Sequence, residues 1–153
     1  MKSSPTYTLV FTAILCLGLI FFMYRVFSSS NFAHSSSFLL IRAPLGTIQS
    51  LVATSTVDQE RGLGDRPSLP AEEGMLFTFA RPGVYGFWMK DMRFPLDMVW
   101  IDKNKVVVGI AANVPADSYP STFFPPRDIL YVLELNAGGA GKYGIETGTR
   151  LMF

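Results

Sequence analysis

Between Lys2 and Arg25 the chain carries no charge, and within that interval Thr8–Tyr24 is almost wholly apolar. Seventeen residues at about 1.5 Å each reach roughly 26 Å, near the short limit for crossing a bilayer as a helix. A charged start before an apolar run is also the outline of a secretory signal. The run is long for a signal, and no clean small-x-small cleavage site comes after it; around Ala33, Asn31 stands where a small residue is needed. The favoured reading is therefore an uncleaved anchor over residues 1–27, with a cleaved signal as the alternative. Continuation of the apolar run past Cys16 to Tyr24 argues against lipid attachment at that cysteine. Lys2 and Arg25 flank the two ends almost evenly, so the positive-inside rule gives only a slight push. Segments of this form usually export the chain beyond them, which places the remaining residues outside the cytoplasm.

Residues 28–37 are Ser-rich and read as a tether. Residues 38–153 are long enough to bury one core without disulfides. Lys2 and Arg25 are two of the thirteen basic residues, so eleven remain beyond the tether against twelve acidic ones. A near-neutral domain without a basic run is poorly suited to nucleic acid. The one cysteine, Cys16, and the one histidine, His34, both lie before residue 38. The domain therefore has no thiolate or imidazole for metal binding or proton transfer, and neither a metal nor a cofactor is expected.

The pattern beyond residue 38 is mostly that of strands. Phe38–Ile41 could open the fold, and Thr47–Ala53 alternates. Thr56 with Gln59 three residues on predicts a capped helix, and Gly62 and Gly64 stop it after about two turns. Gly74–Phe79, Tyr85–Lys90, Leu96–Ile101, Val106–Ile110 and Ile129–Leu135 come next as strands. The turn Asp102-Lys103-Asn104 makes a hairpin of the third and fourth of these. Gly138–Gly144 has room for one helical turn, and Gly148 turns the chain before Leu151–Phe153. Short strands at even spacing predict a mainly β domain, barrel-like or sandwich-like, with one or two short helices.

These residues also resemble a known family. Arg61-Gly62-Leu63, Gly74-Met75-Leu76-Phe77-x-Phe79, Phe87-Trp88-Met89-Lys90, Pro95-Leu96-Asp97 and Tyr131-Val132-Leu133-Glu134-Leu135-Asn136-Ala137-Gly138 succeed one another as in the domain-of-unknown-function 192 family of small bacterial and archaeal proteins. The resemblance spans roughly Leu51 to Phe153 and implies a mainly β fold, often behind a signal or anchor. It implies no activity. Gly64 stands where the family tends to have Met, and Asp91-Met92 where it often has Asn-Thr.

Chemistry is expected from a polar set on apolar strands. Asp97 shares a strand face with Val99 and Ile101, and Glu134 and Asn136 share one with Leu130 and Val132. A buried carboxylate needs a partner or it titrates abnormally. Arg61 is the favoured partner and Lys90 the second. Two readings stand side by side: structural ion pairs or turn caps, and a polar pocket in which Asp97 and Glu134 bind a ligand or act as acid and base. Trp88 and Lys90 fall on one face of their segment and offer a stacking platform for a sugar or peptide, or else a lid on the core edge. Met75, Met89, Met92 and Met98 suit Cu(I) but more simply fill the core. Gly138-Gly139-Ala140-Gly141-Lys142 fails as a phosphate loop, because Asn136 and Tyr143 occupy its required Gly and Ser/Thr places.

The expected protein is a membrane-tethered, extracytoplasmic β domain that binds an envelope glycan, peptide or protein along Arg61, Trp88, Lys90, Asp97, Glu134 and Asn136. The alternatives are a hydrolase using Asp97 and Glu134, and a structural subunit without ligand.

Overall fold

The computed structural model describes residues 38–153. The expected anchor and tether lie outside the described residues. Among the described residues no helix is long and apolar enough to cross a membrane.

The chain forms β1 (Leu39–Ala43), β2 (Gly46–Ala53), helix α1 (Thr56–Arg61), β3 (Glu73–Gly83), β4 (Phe87–Trp88), β5 (Leu96–Ile101), β6 (Val107–Val114), β7 (Thr122–Phe123), β8 (Ile129–Asn136) and helix α2 (Gly139–Lys142). Six strands make one sheet in the order β1-β2-β3-β8-β5-β6, and β4 and β7 form a separate two-stranded ribbon. β2 and β3 run parallel, joined by a crossover that includes α1; every other neighbouring pair is antiparallel. The mainly β reading with two short helices holds. The sheet is open, however, and does not close into a barrel. The C-terminal residues only bridge its edges at one end: Arg42 and Met152 exchange backbone hydrogen bonds of 2.9 and 3.2 Å, and Leu151 N–H donates to the Lys105 carbonyl at 2.9 Å.

Because side chains alternate along each strand, the cross-strand register sorts the core into two layers. Ala53, Met75, Phe77, Met98, Trp100 and Val132 point to one face, which Leu63, Leu69 and Met89 from the loops cover. Ile41, Ile48, Leu76, Val99, Ile101, Leu133 and Leu135 point to the other, which Ala140, Tyr143, Ile145 and Leu151 cover. β5 is buried along its whole length, as a strand covered on both faces must be. Gly74 is required where β3 meets β8, since a Cβ there would lie 2.9 Å from the Glu134 carbonyl oxygen.

Local signals set the turns. Asp102 Oδ1 accepts from the backbone N–H of Asn104 at 2.8 Å and of Val106 at 3.0 Å, which closes the β5–β6 hairpin as expected. The helix cap differs from expectation. Ser55 rather than Thr56 is the N-cap, and its Oγ accepts from Asp58 N–H at 3.1 Å. Gln59 instead donates its amide to the Thr78 carbonyl at 2.8 Å, pinning α1 to β3. Gly62 ends the helix at φ 52°, a conformation favourable only to glycine.

Both layers are buried, so each should answer to truncation. Phe77→Ala, on the first face, and Leu133→Ala, on the second, should each lose about 2–5 kcal/mol of stability in urea unfolding. An unchanged midpoint for either would show that its layer is not a packed core.

Candidate functional site

The first face of the sheet is not completely covered. Between α1, the Gly62-Leu63-Gly64 turn, β3 and the segment 85–92 lies a cavity of about 220 Å³. Its wall is aromatic: Phe77, Phe79, Tyr85, Phe87 and Trp88. Phe79 and Tyr85 stack with ring centroids 3.7 Å apart, and Phe87 meets Phe77 edge-on at 5.0 Å. The Tyr85 hydroxyl is turned away and donates to the Arg81 carbonyl at 2.7 Å. Buried Leu63 and Phe77 mark the floor, and exposed Glu60, Arg61, Trp88 and Lys90 mark the mouth.

Glu134 is the one acidic side chain on this floor. The register pairs it with Met75 on one side and Met98 on the other, so it projects from the first face into the apolar layer. It is 5% exposed and lines the cavity. Among the described residues no hydrogen-bond donor and no cation engages its carboxyl. The ion pairs there are Arg93–Asp65, Arg127–Asp102 and Lys142–Glu72. Burial without a partner penalises the charged form and pushes the Glu134 pKa from 4.5 to about 8. At neutral pH the group is chiefly a neutral acid, able to donate one hydrogen bond and accept others.

Asp97 is buried by a different device. Its register partner is Leu135, next to Glu134 in β8, so Asp97 and Glu134 lie on opposite faces of the sheet. Asp97 Oδ1 accepts from Asn113 N–H at 2.8 Å and Oδ2 from Ala140 N–H at 2.9 Å. The first bond meets the extra residue of a bulge between β5 and β6, and the second holds the start of α2 against the sheet. An acid–base pair of Asp97 and Glu134 is therefore ruled out by geometry, because one substrate cannot meet both faces. The expected pairing of Arg61 with either carboxylate is also absent.

The remaining expected residues divide. Arg61, Trp88 and Lys90 come together with Glu134 at the cavity. Asn136 does not. Its amide donates to the Leu69 carbonyl at 2.9 Å, and it borders a separate hollow beside α2. Met75, Met89 and Met98 are core residues of the first face, and Met92 packs against them and lines the cavity. Sequence reasoning missed Phe79, Tyr85, Phe87 and Met92 as wall residues. The alternation of Met75, Phe77 and Phe79 held the signal, since all three share the face of Glu134 once β3 is known to pair with β8.

Residues 41–153 match the model of the DUF192 family, described as uncharacterized ACR, and the chain belongs to that family. Among solved structures, it is similar to a protein of unknown function from Novosphingobium aromaticivorans DSM 12444, at 32% identity and a TM-score of 0.68, over 74% of this chain and 82% of that one. It is also similar to a protein from Sinorhizobium meliloti 1021 with a provisional description as a transcription regulator, at 29% identity and a TM-score of 0.67, over 76% of this chain and 95% of that one. No curated protein matches the chain.

Glu134 ties stability to pH. In the unfolded chain its carboxyl ionises near 4.5, and in the fold only near 8. Between those values the folded state keeps a proton that the unfolded state has lost, so stability falls as pH rises across the window. Glu134→Gln should remove that component. At pH 9 the variant should be more stable than the parent by about 2–5 kcal/mol relative to their difference at pH 4.5. Parallel stability curves for the two proteins between pH 4.5 and 9 would show that Glu134 ionises normally in the fold.

Proposed function

We propose that this chain is a membrane-tethered, extracytoplasmic binding module that takes a small ligand, or a side chain of an envelope peptide, into the cavity above Glu134. The observation that carries the reading is the carboxyl itself. Among the described residues it has no protein partner, and its oxygens are not sealed off but open to the cavity, where a ligand can supply the missing partner. Here it faces a cavity with an aromatic wall. A small apolar pocket holding one convergent polar group is the common form of a ligand site. The apolar run Thr8–Tyr24 and the Ser-rich tether support placement at a membrane.

The binding set under this reading is Arg61, Trp88, Lys90 and Glu134. Asp97 and Asn136 serve the scaffold, since backbone groups occupy both Asp97 carboxyl oxygens and the Asn136 side-chain nitrogen. An apolar cavity of ~150 Å³ is enough for a benzene ring, so this one accommodates a ring with a short substituent.

The test uses p-cresol, a ring with a hydroxyl, titrated into the ¹⁵N-labelled full-length chain. Saturable shifts should appear at the Trp88 indole N–H and the Gly62 and Gly64 amides. Met92→Trp, which fills the cavity from its wall, should weaken binding about tenfold or more. An absence of saturable shifts at these three groups, or binding unaffected by Met92→Trp, would overturn the reading.

A further inference from the structure

The charges around the cavity are not balanced. Arg61 and Lys90 stand at its mouth, and neither has an ion-pair partner among the described residues. Among the described residues that line the cavity, Glu60 is the one acid at the rim with them, and Asp91, next to Lys90, lies just outside the lining beside Gly64. A carboxylate on the floor would ordinarily offset this. The floor of this cavity is apolar and no donor among the described residues holds its carboxyl ionised, so burial keeps the acid largely neutral at neutral pH. The result is a cavity with three zones: exposed cations at the mouth, an aromatic wall in the middle, and a single neutral hydrogen-bonding group at the bottom.

Resting on the binding reading above, we propose that the ligand is a small amphipathic carboxylate. Its ring or chain packs against Phe77, Phe79 and Phe87, its carboxylate meets Arg61 and Lys90 at the mouth, and a hydrogen-bond acceptor at its buried end receives the Glu134 proton. Each zone selects one part of that ligand. The rings favour an apolar or aromatic body through contact area. The two cations favour an anion, and Arg61 can receive a carboxylate in a two-point fork. The floor admits a carbonyl or hydroxyl oxygen and disfavours an alkyl end, which would leave Glu134 unpaired. An amine with the same body fits worse, because it would bring a positive charge to Arg61 and Lys90.

Three probes with one shared body separate this assignment from the binding reading on which it rests. They are 3-(4-acetylphenyl)propanoate, its methyl ester, and 3-(4-acetylphenyl)propan-1-amine, in which the acetyl carbonyl supplies the buried acceptor. Each is titrated calorimetrically into the full-length chain at pH 6.5 and low salt. The carboxylate should bind about 3–10-fold more tightly than the ester, the range expected of two mouth contacts at the surface, and the amine should bind weakest. The ratio of carboxylate to ester affinity should shrink in 0.5 M NaCl, where screening shortens the reach of the mouth charges. It should fall to about one in the double variant Arg61→Gln, Lys90→Gln, and because both probes are measured on the same protein, a change in folding does not mimic that result. If the ester or the amine binds as tightly as the carboxylate, the binding reading stands and the anion assignment falls. If none of the three binds at millimolar concentration, both fall.

Discussion

The six-stranded sheet has to be kept from water on both faces, and the rest of the structure depends on how the chain does it. Among the described residues neither face is covered by a large second sheet or a long helix; the two-stranded ribbon of β4 and β7 packs Phe87 and Phe123 against the first face. The second face is closed by α2 and the C-terminal residues, with Ala140, Tyr143, Ile145 and Leu151 packed onto Val99, Leu133 and Leu135. Asp97 makes that closure specific, because one carboxyl receives both the bulge of β6 and the first turn of α2. The first face is closed by short pieces: the turn after α1, the residues before β3, and the β4–β7 ribbon with its flanking segments. That cover leaves an opening, and Glu134 stands at its floor.

Glu134 and Asp97 are two buried carboxyls in neighbouring strands with opposite solutions to burial. Asp97 is used up by backbone donors, and its role is to hold elements together. Glu134 has methionines as cross-strand neighbours and no donor among the described residues, so burial raises its pKa instead. A group in that state is an unfavourable element of the fold and a useful one for recognition, since a ligand that supplies its missing partner gains what the apo protein lacks. The binding proposed above requires no reaction. With a single carboxyl at the cavity floor and the second on the other side of the sheet, the acid–base arrangement weighed from the sequence has no geometric basis.

Much of this fold was legible because it is set locally. The β5–β6 hairpin depends on Asp102 and its own neighbours, and the glycine after α1 on the left-handed turn it makes. The linked motifs from Arg61 to Gly138 place the chain in its family without any structure, and the match over residues 41–153 agrees. What failed was non-local. Strand order decides whether a sheet closes, and β8 inserting between β3 and β5 is not written in the spacing of either. The same ignorance of register hid the fact that Asp97 and Glu134 face apart, and it kept Phe79 and Phe87 out of the expected site. The cap at Ser55 was missed for a smaller reason: Gln59 is drawn to the Thr78 carbonyl across the crossover, so the box that starts at Thr56 never forms.

The central claim is that Glu134 lies buried, unpaired and neutral at the floor of an open cavity. The most direct measurement is an NMR titration of its side-chain carboxyl carbon in the full-length chain between pH 3 and 10, assigned by comparison with Glu134→Gln. The predicted midpoint is near 8, well apart from the other carboxylates. A midpoint near 4.5 would mean that the carboxyl is solvated or paired, and the picture of the cavity would be contradicted at its base.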